Sequence, residues 1–187
     1  MESVCIPISA GANQCDISDS YLTKRVHSTV GGKLFTKGKG ISSIYSVCSG
    51  AFKLTDIAEG GGEKVLGFKF PGELIGEDSL HPQDYGYNAV AIANSSVCKI
   101  SVNELIFCSN VVPDLQLSLV KLLTRQGFSN RHEFQALISK KSADSLLAAF
   151  LLNVHERKLE HGGYAFDEEK RMVNLNMSRD NIANFLG

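Results

Sequence analysis

No charge of either sign dominates this chain of 187 residues: 19 Lys and Arg stand against 20 Asp and Glu, a formal net charge of −1. No overall basicity points to nucleic acid, although a DNA-binding face can be local. No apolar run approaches the ~20 residues that a membrane-spanning helix needs. The N-terminus, MESVCIPISAGANQC, lacks the basic-then-apolar order of a signal peptide. The expected compartment is therefore the cytoplasm, with no membrane partner. There the five cysteines are expected to be thiols or metal ligands rather than disulfides.

Catalytic patterns are missing as well. The five histidines include no HxH or HExxH pair, and His81 stands alone beside Pro82. A metal-binding cupin would share the β-rich texture described below, but it needs His and Glu ligands clustered on neighbouring strands. Gly60-Gly61-Gly62 lacks the Lys-Ser/Thr of a phosphate loop and reads as a turn. No convergent set of titratable groups points to an enzyme.

What the chain does have is order of texture. Hydrophobic content of 43% and charge of 21% describe an ordinary globular protein. After a weakly patterned segment, 1–30, short β-rich runs follow one another between glycine-bearing turns. They are KLFTKG, SIYSVCSG, AFKLTDI, EKVLGFKF, PGELIG, YNAVAIA and SVCKIS. Ser49-Gly50 reads as a tight hairpin turn, Pro71-Gly72 as another reversal, and Asn94-Ser95 turns YNAVAIA back into SVCKIS. Many short strands at such spacing imply a sandwich or barrel, here placed at 31–110.

The pattern then becomes helical. Ser101 and Glu104 fit a capping box, and Pro113 suits a first helical turn. Leu115, Leu119, Leu122 and Gln126 follow at helical spacing, with no acidic side chain between Leu115 and His132, and this stripe is expected to pair with its twin across a two-fold axis. Leu117, Val120 and Leu123 add apolar positions on other faces, so this helix is expected to lie between two bodies. Ser142 starts a second helix that Gly162-Gly163 ends. At the C-terminus, MSRDNIANFLG carries Ser178 as an N-cap, Met177 and Ile182 as a hydrophobic staple, Asp180 in the first turn and Gly187 as a C′ residue.

The segments GGKLFTKG, SIYSVCSGAFKL, EKVLGFKFPGELIGEDSL, SSVCKIS, SKKSADSLLAAFLLNV and MSRDNIANFLG occur in an order and spacing that resembles the Crp–Fnr family of bacterial transcription regulators, nearest its Fnr branch. The resemblance runs from Cys5 to Gly187. It implies an α+β fold: a cyclic-nucleotide-binding-like β roll (a jelly roll) at 31–110, a long dimerisation helix at 111–139, and the start of a winged helix-turn-helix domain at 140–187. In the family the segment matching Met177–Gly187 is the first helix of the helix-turn-helix, and the next helix reads bases in the major groove. The chain is thus expected to be C-terminally truncated within that motif. As it stands, it is expected to hold DNA feebly and through phosphates alone, with Ser178 and Arg179 as contacts and Lys170 and Arg171 nearby.

The resemblance also implies where ligands would sit. Gly72 and Glu73 match the Gly-Glu of a nucleotide pocket, but the Arg-Ser or Arg-Thr pair that follows in cyclic AMP binders is replaced by Asn88-Ala89. A neutral amide cannot replace a guanidinium fork on a cyclic phosphate, so the pocket is expected to be vestigial. Of the four thiolates that hold a 4Fe–4S cluster in the Fnr branch, Cys5 and Cys98 match two. No resident cofactor is expected, and a cluster only where further N-terminal cysteines exist. The implied partners are promoter DNA, a second copy of the chain as homodimer, and RNA polymerase. A β-roll module that binds a ligand or protein without DNA is the alternative.

Overall fold

The computed structural model describes residues 23–80, 84–111, 142–160 and 175–187, with residues 117, 120, 121, 123–128, 130, 131 and 135 between them. The strands are β1 (Thr23–Ser28), β2 (Lys33–Phe35), β3 (Ser43–Ser49), β4 (Phe52–Ile57), β5 (Glu63–Lys69), β6 (Leu74–Ile75), β7 (Asn88–Ala91) and β8 (Ser95–Ser101). They form two four-stranded sheets, ordered β1-β8-β3-β6 and β2-β7-β4-β5. Pairing is antiparallel throughout. Because β1 pairs with β8 from Thr23 onward, the roll starts before the expected boundary at 31.

The hairpin expected at Ser49-Gly50 is instead a passage between sheets, since β3 lies in one and β4 in the other. Asn94-Ser95 makes the same passage from β7 to β8. Sandwiches close in this way when consecutive strands each supply an inward face to opposite layers. The two turns lie back to back. A Cβ at Gly50 would stand 2.7 Å from Asn94 O and Ser95 Cα, and its φ of +82° is one that glycine adopts without strain. The real hairpin joins β4 to β5, where Ala58 N donates to Gly62 O at 2.8 Å across the glycine run.

Between the sheets lie Phe35, Tyr45, Val47, Phe52, Leu54, Ile75, Tyr85, Tyr87 and Val97. Phe35 and Tyr85 stack with centroids 3.6 Å apart. The Tyr85 hydroxyl reaches Ser43 O at 2.6 Å, so the ring is buried without orphaning its polar end.

Helix α1 (Val102–Val111) follows β8 directly, with Ser101 Oγ accepting from Glu104 N at 3.4 Å as the capping box requires. Residues between 117 and 135 are helical wherever described. Helix α2 (Ala143–Glu160) starts after Ser142, whose hydroxyl accepts from Ser145 N at 3.3 Å. Helix α3 (Arg179–Leu186) has Ser178 as N-cap and Gly187 as C-cap, as the sequence predicts. Pro113, Gly162 and Gly163 lie outside the described residues.

A short terminal helix is marginal alone, yet α3 does not stand alone. Ile182, Phe185 and Leu186 pack on Val65, Phe68 and Phe70 of the roll and on Phe150 and Val154 of α2. β5 is an edge strand whose backbone would otherwise lie open. The Asn184 amide covers it, accepting from Val65 N at 2.6 Å and donating to Glu63 O at 2.8 Å.

Candidate functional site

One short loop collects most of the buried charge. Phe70 and Glu73 close a Pro-Gly turn, with Glu73 N donating to Phe70 O at 3.1 Å and Gly72 at φ +90°. β6 then adds only Leu74 and Ile75 before Gly76, also at φ +90°, turns the chain into a 3-10 turn over Glu77–Leu80. Two carboxylates four residues apart, Glu73 and Glu77, thus leave the loop toward different partners.

Glu73 meets α2. Arg157 Nε and an Nη donate to its two oxygens at 2.7 Å each, a bidentate fork, while the same Nη also donates to Phe68 O at 2.7 Å. Phe70 N donates to Glu73 Oε2 at 3.0 Å, and the guanidinium lies 5.1 Å over the Phe70 ring. Both side chains are buried. Burial raises the Glu73 pKa, but the Arg157 charge and hydrogen bonds, aided by Lys69 and the Phe70 amide, outweigh it and hold the carboxyl below its ordinary value.

Glu77 meets β5 and the connecting helix. Its Oε1 accepts from Lys69 Nζ at 3.1 Å and from Gln126 Nε2 at 2.6 Å. Its Oε2 is buried with no hydrogen-bond partner among the described residues. Burial pushes the Glu77 carboxyl above its ordinary value despite the nearby Lys69 ammonium. Beside it, Tyr87 donates to Asp78 at 2.8 Å and accepts from Gly76 N at 3.1 Å. A cavity of about 320 Å³ opens here, walled by Phe68, Lys69, Glu77, Tyr87, Arg157 and Phe185, with Asn130 reaching it from the connecting helix.

Gly72, Glu73, Asn88 and Ala89 do not line the cavity. Glu73 is consumed by Arg157. Asn88 Oδ1 accepts from Lys37 N at 3.1 Å and its amide donates to Thr55 O at 3.3 Å, while Ala89 is fully buried between the sheets. Glu77, which does line it, belongs to a second Gly-Glu pair, Gly76-Glu77, that carried no expectation from the sequence. Arg157 was missed too, for want of any local signal.

Gln126 belongs to the stripe expected to pair with a second copy. It turns onto its own roll, donating to Leu74 O at 3.0 Å and accepting from Leu74 N at 3.3 Å. The reason is the unpaired amide and carbonyl of a two-residue strand, which a side-chain amide satisfies together. Leu115, Leu119 and Leu122 lie outside the described residues. Leu117, Val120 and Leu123 are described and exposed, at 55%, 60% and 37%.

Ser178 and Arg179 are exposed at the start of α3. The Ser178 oxygen accepts from Asn181 N at 3.1 Å, which leaves its hydroxyl proton able to donate. Lys170 and Arg171 lie outside the described residues. Cys98 is buried on β8, and its Sγ lies 3.3 Å from that of Cys48 on β3. No group of three or more metal-ligating side chains occurs among the described residues. Two thiols are half the donor set of a 4Fe–4S cluster, so the described residues do not by themselves fit one; Cys5 lies outside them.

Similarity to known proteins follows the same outline. Residues 26–108 match the cyclic nucleotide-binding domain. Electron transport regulator A of Shewanella oneidensis is 33% identical over 187 residues, covering 100% of this chain and 72% of the relative. The transcriptional activator protein FnrA of Stutzerimonas stutzeri is 31% identical, covering 100% and 74%. The structure of FixK2 from Bradyrhizobium japonicum superposes with a TM-score of 0.68 over 88% of this chain and 77% of that one, at 18% identity, a likeness of fold. Relatives named as regulators and about 30% identical across the whole chain set aside a free-standing β-roll module: the chain belongs to the Crp–Fnr family of transcription regulators, on its Fnr-like side.

Proposed function

We propose that the chain acts as a cytoplasmic, homodimeric DNA-binding regulator in which the β roll receives a signal and the helices after it carry the response to DNA. The observation that supports this reading is that both helical elements are keyed to one loop. Gln126 of the connecting helix holds Leu74 and Glu77, and Arg157 of α2 holds Glu73. A ligand entering the cavity would touch Glu77 and Arg157 together, so occupancy and helix position are linked.

Cyclic AMP is not the expected signal. Asn88 offers no charge, and the two cations at the cavity, Lys69 and Arg157, are already paired with Glu77 and Glu73. Cyclic AMP should leave the melting temperature unchanged, whereas saturable binding in a calorimeter would contradict this reading.

Self-association is assigned to the connecting helix through the stripe Leu115, Leu119 and Leu122, and the exposed Leu117, Val120 and Leu123 of the same helix add apolar surface that a second copy would cover. Sedimentation should show dimer at high micromolar concentration; monomer alone would overturn it. DNA contact is assigned to Ser178 and Arg179, with RNA polymerase as the partner that the family resemblance implies. In fluorescence anisotropy with a promoter duplex, Arg179→Ala should weaken binding about equally across sequences and reduce the salt slope by about 1. An unchanged slope would remove Arg179 from the phosphate contacts.

A further inference from the structure

Strands β3 and β8 pair in regular antiparallel register from Ser43↔Ser101 to Val47↔Val97. The register then slips, so that Ser49 rather than Cys48 stands opposite Ser96. Cys48 is the extra residue of this bulge. Cys98 stands opposite Ser46, two residues back on the same ladder, a diagonal position from which two short side chains in a flat ladder do not ordinarily meet. Bulges bend and twist the strand that carries them, and here the two sulfurs lie 3.3 Å apart. Both are thiols. That separation exceeds an S–S bond by only ~1.3 Å.

We propose that Cys48 and Cys98 form a reversible intramolecular disulfide, making this bulge a redox-modification site of the roll. Cys48 is partly buried and Cys98 is buried, so Cys48 is the more accessible of the two, which sets the order of events. With hydrogen peroxide as oxidant, Cys48 Sγ as thiolate attacks one peroxide oxygen. The O–O bond breaks, water leaves, and Cys48 becomes a sulfenic acid. Cys98 Sγ then attacks Cys48 Sγ, the S–O bond breaks, and a second water departs with the Cys98 proton. Two thiols lose two electrons and two protons, and the peroxide is reduced to water. A dithiol reductant reverses the bond by exchange.

The position gives the bond something to act on. Val47, next to the bulge, accepts from Gly72 N at 2.9 Å and donates to Glu73 O at 3.0 Å. The bulge therefore adjoins the turn whose carboxylate holds Arg157.

The test is peptide mapping by mass spectrometry after the reduced chain is treated with one equivalent of hydrogen peroxide and remaining thiols are alkylated. The expected product is a Cys48–Cys98 crosslinked peptide that disappears on treatment with dithiothreitol. In Cys98→Ser, dimedone should instead trap a sulfenic acid at Cys48, a readout that does not depend on the disulfide forming. Alkylation of both Cys48 and Cys98 after peroxide, or crosslinks that join either of them to Cys5, Cys15 or Cys108 instead, would overturn the proposal.

Discussion

Arg157→Ala should cost about 3–5 kcal/mol of stability, because it leaves Glu73 buried without its counter-ion. The effect should depend on pH in a direction opposite to that of the parent pair. In the native chain the Glu73 carboxyl lies below its ordinary value. Its contribution is present above the unfolded value of about 4.3 and is lost as the pH falls through the lower, folded value. Without Arg157, burial is no longer outweighed and the folded value rises above the unfolded one. The variant's stability should then improve as the medium is acidified from neutrality toward the unfolded value, since a protonated Glu73 is easier to bury. Urea denaturation of both proteins at neutral and mildly acidic pH measures this; a deficit of the same size at both pH values would mean that Glu73 is not the stranded charge.

Phe150→Ala should be comparably damaging, at about 3–5 kcal/mol, the range for emptying a buried aromatic site. The ring is 1% exposed and lies between Phe68 of the roll, at a centroid distance of 5.8 Å, and Phe185 of α3, at 5.5 Å. Phe68 and Phe185 also meet edge-on at 5.5 Å, so all three elements share this contact. Amide hydrogen exchange should show α3 losing protection before the inner sheets do, because the core around Phe52 and Val97 has no member in α2 or α3. Uniform loss across the roll would mean that Phe150 supports the whole fold rather than the docking of the terminal helices.

Local physics was legible in the sequence where it acts over a few residues. Ser178, Met177, Ile182 and Gly187 announce α3, and the cap and staple residues stand where the spacing puts them. Ser101 and Glu104 place the start of α1 equally well. What could not be read was pairing over distance. Glu73 and Arg157 are 84 residues apart, and neither carries a mark of the other. Helical spacing groups Gln126 with the leucines of its stripe, but spacing cannot say which faces of a long helix meet the roll and which meet a second copy. The two Gly-Glu pairs, 72–73 and 76–77, repeat the same dipeptide, one between Pro71 and Leu74 and the other between Ile75 and Asp78. Which carboxylate reaches the cavity depends on a two-residue strand between two left-handed glycines. The passage between sheets at Ser49-Gly50 escaped for a related reason: a hairpin and a sheet crossing call for the same turn residues, and only the partner strand tells them apart.

If the β roll and the helices work as one regulator, the 72–77 loop and the C-terminal helices form one energetically coupled unit. A double-mutant cycle on Glu73→Gln and Arg157→Met, read by urea denaturation, tests it most directly. If the fork carries the coupling, the double variant should be at least ~1.5 kcal/mol more stable than the sum of the single losses predicts, since neither strands a charge once both are gone. Single losses that add to within about 0.3–0.5 kcal/mol would contradict it, and would mean that the helices rest on the roll without being keyed to its loop.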